Sequence, residues 1–411
     1  MINKVAWISD TPDAEFIGNS RVCREMIKYF DKQFDVEHVS FAIDEDKVNK
    51  ITKFNGKKVY NVTRDNSKNM IVESLKRINP DVIVLSHDPW LFLPCIEQIK
   101  EEPSLSKCLI VGLFTIDGAP VSVEWTPVLN ACDVIFTPSE WGKKELMNFN
   151  PGLFVYVIPH GIDHNVFRPF GESAKKKEDV KAFIDKSTAR TQLHLDIKDK
   201  FVCFFIGNNQ DRKGLGASRD AWFKFAEDKN DIRWILVTHP IDAKSRVYYP
   251  PTLFEHPTII NFNCNIQEQD LIGFYHCSDY FLYPTMGDGF SLVCLESLAC
   301  GCTPIVTNWS SQTDFCNDYN SIMLNYTLLR GGFGCYRAIV DSDYLANVLE
   351  TEYKRWKENK EEFYKQADIV HNNGYRTANM FNWETSTNKM INIIRSFYNT
   401  TTLKGDIVRK L

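Results

Sequence analysis

The stretch Tyr283-Pro-Thr-Met-Gly-Asp-Gly-Phe-Ser-Leu-Val-Cys-Leu-Glu-Ser-Leu-Ala-Cys-Gly301 decides the reading of this chain. Apolar residues run up to Tyr283 as a strand, Gly287 and Gly289 mark a loop, and an apolar helix begins near Ser291. Gly301 is well placed as the left-handed terminator of that helix. The arrangement presents backbone N–H groups and the positive end of a helix dipole at the C-terminal edge of a parallel sheet. Ligands that carry phosphate bind at such places.

Within that helix Glu296 stands among Leu292, Val293, Cys294, Leu295, Leu298, Ala299 and Cys300. A helix that is apolar nearly all round is buried. A buried carboxylate without a partner costs several kcal/mol, so Glu296 faces a partner or a ligand. One reading satisfies it with a structural Arg or with backbone; the functional one has it accept two hydroxyls of a ribose.

Outward from this stretch, short apolar runs alternate with longer amphipathic ones. Strands are expected at Val5–Ser9, Val36–Phe41, Val82–Ser86, Leu109–Thr115, Val134–Pro138 and Phe154–Ile158, with helices at Ser20–Phe30, Asn66–Ile78, Leu91–Glu101 and Ser139–Asn148. The runs are rich in β-branched residues, as strands buried on both faces are. Such alternation indicates a doubly wound parallel sheet. From Arg168 to Lys200 the chain turns polar, which reads as a solvated linker. Strands then resume at Phe201–Ile206, Trp234–Thr238, Ile259–Phe262, Tyr280–Tyr283, Ile305–Thr307 and Ile322–Leu324, and a helical tail covers roughly Thr385–Asn399.

The 411 residues suit two such domains at a soft ~150 residues each plus a tail. The balance of 48 Lys+Arg against 53 Asp+Glu gives no global reason to bind nucleic acid. The start, Met1-Ile-Asn-Lys-Val-Ala-Trp-Ile-Ser-Asp10, runs straight into a strand without a leader pattern, and no apolar run approaches the ~20 residues that span a bilayer. A cytoplasmic protein without a transmembrane segment is expected. The 12 cysteines show no regular spacing, and Cys294, Cys300, Cys302 and Cys316 lack the paired spacing of zinc ligands. Two D-x-D strings, Asp44-Glu-Asp46 and Asp341-Ser-Asp343, lie in charged loop or helix-start contexts and read as chance; no metal is expected.

A second motif follows the strand Phe201–Ile206: Gly207-Asn-Asn-Gln-Asp-Arg-Lys-Gly214. A strand, a glycine turn and the adjacent cations Arg212 and Lys213 at a helix start form a pyrophosphate clamp. Each charge-assisted bond there contributes about 1.5–3 kcal/mol. Two solvated cations are the plainer reading, at a helix end that the dipole disfavours for them.

These stretches resemble the retaining GT-B glycosyltransferases of family 4, the group 1 type. The pair Asp288-x7-Glu296 resembles the E-x7-E motif of that family, with Asp in place of the first Glu, and Gly207–Gly214 resembles its G-R-x4-K-G, with Asn208 in place of Arg. Val157-Ile-Pro-His-Gly-Ile-Asp-His-Asn-Val-Phe-Arg-Pro169, Asp133-Val-Ile-Phe-Thr-Pro-Ser-Glu-Trp-Gly142 and Phe381-Asn-Trp-Glu384 resemble three further family segments. The Lys-, Asn- and Phe-rich style also resembles a glycosyltransferase encoded by a chlorella virus, which would place the chain in a host cytoplasm.

The resemblance implies an α/β GT-B fold: two doubly wound, Rossmann-like domains facing a central cleft, with a C-terminal helix crossing back to the first. The expected domains are an acceptor domain at 1–168, a nucleotide-sugar donor domain at 169–384 and the crossing helix at 385–411. It implies retaining transfer of a hexose, mannose favoured, from a nucleoside-diphosphate sugar to a glycan or glycoprotein acceptor, with GDP-mannose the favoured donor and no metal or other cofactor. The catalytic candidates are Lys213, Arg212, Asp288 and Asp117. The donor-binding candidates are Gly18, Gly207, Asn208, Gly289, Phe290, Ser291, Leu292, Glu296 and Ile266. His87 and Asp88 end a third strand as cleft candidates, with a satisfied structural histidine the equal alternative. A UDP-sugar transferase, a nucleotide-sugar epimerase, a phosphorylase with a pyridoxal cofactor and a two-domain binding protein stay open. P-loop and G-x-G-x-x-G signatures are absent. The oligomeric state is not legible.

Overall fold

Runs of continuous apolar sequence become fully buried strands, and the amphipathic segments between them become the helices that cover those strands. The computed structural model describes residues 1–13, 18–41, 45–63, 67–171, 182–238, 249–264, 266 and 268–408. They form two units, one of Met1–Gly161 with Gly332–Cys335 and Asn382–Leu411, the other of Ile162–Gly331 with Tyr336–Phe381.

The first unit carries β1 (Lys4–Asp10), α1 (Gly18–Phe30), β2 (Asp35–Phe41), β3 (Ile51–Phe54), β4 (Lys57–Val62), α2 (Ser67–Ile78), β5 (Val82–Ser86), α3 (Ile96–Glu101), β6 (Leu109–Leu113), α4 (Thr126–Ala131), β7 (Val134–Thr137), α5 (Glu140–Phe149) and β8 (Val155–Val157). The strands lie in the order β3-β4-β2-β1-β5-β6-β7-β8. All neighbours are parallel except the hairpin β3–β4, in which Phe54 faces Lys57. Asn55 (φ 48°) and Gly56 (φ 80°) turn that hairpin, as the two left-handed residues of a tight turn. The helix expected over Leu91–Glu101 is split: a 3-10 turn spans Pro89–Phe92 and α3 starts only at Ile96. Pro94 between them cannot donate to a continuing helix. Ser139 caps α5, its Oγ accepting the Gly142 N–H at 2.9 Å.

The second unit carries α6 (Ala182–Gln192), β9 (Phe201–Gly207), α7 (Leu215–Phe225), β10 (Ile232–Thr238), β11 (Ile259–Asn263), α8 (Glu268–Cys277), β12 (Tyr280–Tyr283), α9 (Leu292–Ala299), β13 (Thr303–Thr307), β14 (Ile322–Leu324), β15 (Thr327–Arg330), β16 (Tyr336–Ile339), α10 (Ser342–Glu358) and α11 (Lys360–Ala378). Six strands form a parallel sheet in the order β11-β10-β9-β12-β13-β14, and β15–β16 is a separate antiparallel hairpin. Aromatic rings fill the core; Phe204, Tyr275 and Phe281 meet pairwise at 5.0–5.8 Å between centroids. Finally α12 (Trp383–Val408) packs on α1 within the first unit. Its Trp383 stacks on His160 at 5.5 Å.

The polar segment expected as a solvated linker is corrected in part. The run Lys175–Asp179 lies outside the described residues, but α6 follows it with Lys186 and Arg190 both buried. Arg190 is held by Asp279 at 2.8 Å, a partner far away in sequence. Of the D-x-D strings, Asp44 lies outside the described residues, Asp341 caps α10 by accepting the Tyr344 N–H, and Asp343 pairs with Lys224. All twelve cysteines are free thiols. Among the described residues, no helix is long and apolar enough to cross a membrane.

Candidate active site

In the second sheet β9 and β12 are neighbours, but β9 leads through α7 to β10 on one side and β12 leads through α9 to β13 on the other. Their C-terminal ends, Gly207 and Tyr283, therefore border the switch point of the sheet. Open α/β sheets take their ligands at such points.

The loops after these two strands are joined by backbone. The Arg212 carbonyl accepts the Met286 N–H at 2.8 Å and the Thr285 hydroxyl at 3.1 Å. Gly214 makes this approach possible: its φ is +76°, and a Cβ there would come 2.0 Å from the Pro284 carbonyl oxygen. No other residue type meets both demands.

The joined loops bring the cations onto one carboxylate. Lys213 Nζ donates to Asp288 Oδ2 at 2.7 Å, and the Tyr283 hydroxyl donates to the same oxygen at 2.8 Å. Arg212 Nη1 donates to the Gly287 carbonyl at 3.0 Å and stands 3.9 Å from Asp288 Oδ1. Burial acts to raise Asp288, but the charges of Lys213 and Arg212 outweigh it and hold the carboxyl well below its ordinary range. Burial and the Asp288 carboxylate push the Tyr283 phenol well above its own, so it remains a donor. Two cations and one carboxylate leave the cluster one net positive charge.

A buried polar network supports the loop. The Asp288 N–H donates to Ser310 Oγ at 3.0 Å, Ser310 Oγ donates to Gln312 Oε1 at 2.8 Å, and Gln312 Nε2 donates to the Thr307 carbonyl at 3.1 Å. Ser291 (φ 65°) and Ser310 (φ 68°) both sit at positive φ although neither is glycine. Each such residue costs of order 1–3 kcal/mol and persists only where its surroundings fix it. The Ser291 side chain does not cap α9, which starts at Leu292, shortly after Asp288 in sequence.

Glu296 lies on α9 with only 1% exposure, and its Oε2 accepts the Tyr275 hydroxyl at 3.0 Å. A tyrosine of α8 is thus one of its partners. Gly289, Phe290, Ser291 and Leu292 lie in the turn leading into α9, with Phe290 packed on Phe315 and Phe381. Gly207 ends β9, where a Cβ would make ordinary contacts at 3.4 Å with the Phe205 ring. Asn208 is exposed, and Ile266 packs against the core.

Gly18 and Asp117 belong to the first unit. Gly18 opens α1, where an added Cβ would meet nothing within 4 Å, and Asp117 is half-buried after β6. Residues 14–17 of the first loop lie outside the described residues. His87 follows β5 and is fully engaged. The Asp88 N–H donates to its Nδ1 at 2.7 Å, so the ring proton sits on Nε2, 3.1 Å from Asp10 Oδ2. Both ring nitrogens are hydrogen-bonded, as the structural reading expects. Sequence reading misses Tyr275, Ser310 and Gln312 as partners of the candidate carboxylates and their loop, because none lies in a quoted motif, and it takes Tyr283 only as the end of a strand.

Comparison with known proteins falls on this same region. Residues 200–325 match the family model described as glycosyl transferases group 1. The matched residues fall within the second unit. In sequence the chain is 28% identical over 160 residues to D-inositol 3-phosphate glycosyltransferase of Acidothermus cellulolyticus, covering 37% of this chain. The match spans about a third (32%) of the length of that relative. In structure the chain is similar to sucrose-phosphate synthase of Thermosynechococcus elongatus (TM-score 0.75, 15% identity, 97% of this chain and 100% of that one). It is also similar to the HepE protein of Anabaena in complex with UDP and glucose (TM-score 0.68, 13% identity, 96% and 100%). The fold is GT-B, and the likeness extends over nearly the whole chain.

Proposed function

We propose that the chain is a glycosyltransferase that moves a hexose from a nucleoside-diphosphate sugar to a glycan or glycoconjugate acceptor, with retention of the anomeric configuration. The observation that carries this reading is the cluster of Arg212, Lys213, Asp288 and Tyr283 at the sheet's switch point, beside the opening turn of α9.

In this reading the diphosphate of the donor lies against Lys213, Arg212 and the N–H groups of Phe290–Leu292. Charge develops on that diphosphate as the sugar leaves, and fixed cations and a helix N-terminus stabilise it without reorganising. The cations act here without a metal ion. Asp288 keeps Lys213 charged and aimed, and Glu296 takes the ribose hydroxyls next to Tyr275. Gly207 and Asn208 line the phosphate side, Ile266 the base side. Asp117 and Gly18 are proposed to serve the sugar and the acceptor.

Mannose from GDP-mannose is the favoured donor by family resemblance, and a viral, host-cytoplasmic setting goes with the same resemblance. A UDP-sugar is the second reading, favoured by the similarity to HepE, which was solved with UDP and glucose. An assay of nucleoside diphosphate release from GDP-mannose, UDP-glucose and ADP-glucose tests the proposal. Release from one of them, with an α-linked product by NMR, is expected. No release from any, across a panel of saccharide acceptors, contradicts it.

A further inference from the structure

At the N-terminal edge of the second sheet, where β12, β13 and β14 begin, lies a cavity of about 190 Å³. It is at the opposite strand ends from Arg212 and Lys213 and shares no residue with that cluster. One water needs only roughly 10–15 Å³, so the space admits more than a single solvent molecule.

Two groups on its wall lack what burial ordinarily requires. Lys186 is 3% exposed, and its Nζ donates to the Ser278 and Gly301 carbonyls, with no carboxylate among its partners in the described residues. A buried ammonium with neutral partners alone leaves its charge uncompensated. His371 is also 3% exposed, and among the described residues neither ring nitrogen has a hydrogen-bond partner. Burial and the Lys186 charge hold that imidazole neutral, so it offers one N–H and one lone pair.

Neither carboxylate on the wall, Asp279 or the exposed Asp318, is a described partner of Lys186. Asp279 is already taken by Arg190 and the Val202 N–H on one oxygen and by the Tyr364 hydroxyl on the other. We propose that this cavity is a second binding site, for a small oxyanion of the phosphate class held between Lys186 and His371. The anion would supply the missing countercharge and accept the histidine N–H. Because Lys186 also holds the Gly301 carbonyl, just past the end of α9, an occupied site stiffens the same helix whose other end opens at the candidate active site.

The test is calorimetric titration of the full chain with inorganic phosphate, in a Lys213→Ala background that removes one of the two cations of the competing site and weakens it. One phosphate per chain is expected, bound at least ten-fold more weakly when Lys186→Met or His371→Leu is added. His371→Leu keeps an apolar side chain of moderate size on the wall and serves if Lys186→Met does not fold. Ring-nitrogen NMR of His371 should shift on phosphate addition. Absence of phosphate binding in the Lys213→Ala background overturns the proposal, as does unchanged affinity in whichever of the two added variants folds.

Discussion

Lys213 and Asp288, 75 residues apart in sequence, form a 2.7 Å ion pair that bridges the loop after β9 and the loop after β12. The pair orients the ammonium while Tyr283 occupies the same carboxylate oxygen from the other side. A lysine so held needs little reorganisation when a diphosphate arrives. Lys213→Ala should lose roughly 10²-fold or more in kcat. Asp288→Asn, which frees the lysine without removing it, should lose less, on the order of 10-fold. Steady-state kinetics of the two variants check this; a larger loss in Asp288→Asn would make the carboxylate, not the lysine, the principal group.

Glu296 is assigned to the ribose, so its loss should be felt only by ligands that carry one. Glu296→Gln should weaken nucleoside diphosphate binding about ten-fold, roughly the 1.5 kcal/mol of one charge-assisted hydrogen bond. Pyrophosphate affinity should stay the same. Equal weakening of both would show that the substitution disturbs α9 as a whole.

The meeting of the two loops depends on Gly214. With φ at +76° and the Pro284 carbonyl 2.0 Å from a would-be Cβ, Gly214→Ala should destabilise the fold by more than about 2 kcal/mol. Urea unfolding measures it. A change under about 0.5 kcal/mol would mean that the loops separate without cost.

Buried histidines set the acid limit of the second unit. Burial lowers His276 from 6.5 to about 4, its Nε2 donating to the Arg168 carbonyl. Between these values the unfolded chain binds the proton and the folded chain does not. Stability from this group is therefore complete above pH 6.5 and falls as pH drops toward 4. At about 1.4 kcal/mol per unit, the loss approaches roughly 3 kcal/mol. His276→Gln should flatten the fall between pH 6.5 and 4 in thermal unfolding; an unaltered profile would place the proton uptake elsewhere.

What can be read from sequence is what is local. The loops Gly207–Gly214 and Tyr283–Ser291 each carry their own strand, turn and helix signals, and the sheet brings them together as neighbours. Glu296 stands out because a carboxylate in an apolar helix demands a partner, but nothing nearby in sequence names Tyr275, which belongs to α8. Arg190 and Lys186 read as solvated because their polar segment hides that Asp279 and two carbonyls receive them from far along the chain. The hairpin β3–β4 escapes the sequence reading although Asn55-Gly56 marks its turn. Its first strand is short and half-exposed, and its apolar residues are too few to announce a strand.

The proposed function requires the second unit's switch point to bind a nucleoside diphosphate through Arg212 and Lys213. Calorimetry with GDP, UDP and ADP on the full chain, repeated with Lys213→Ala, tests it most directly. One nucleoside diphosphate should bind per chain in the wild type, and at least ten-fold more weakly in the variant. Absence of binding by all three, or the same affinity in Lys213→Ala, would contradict it.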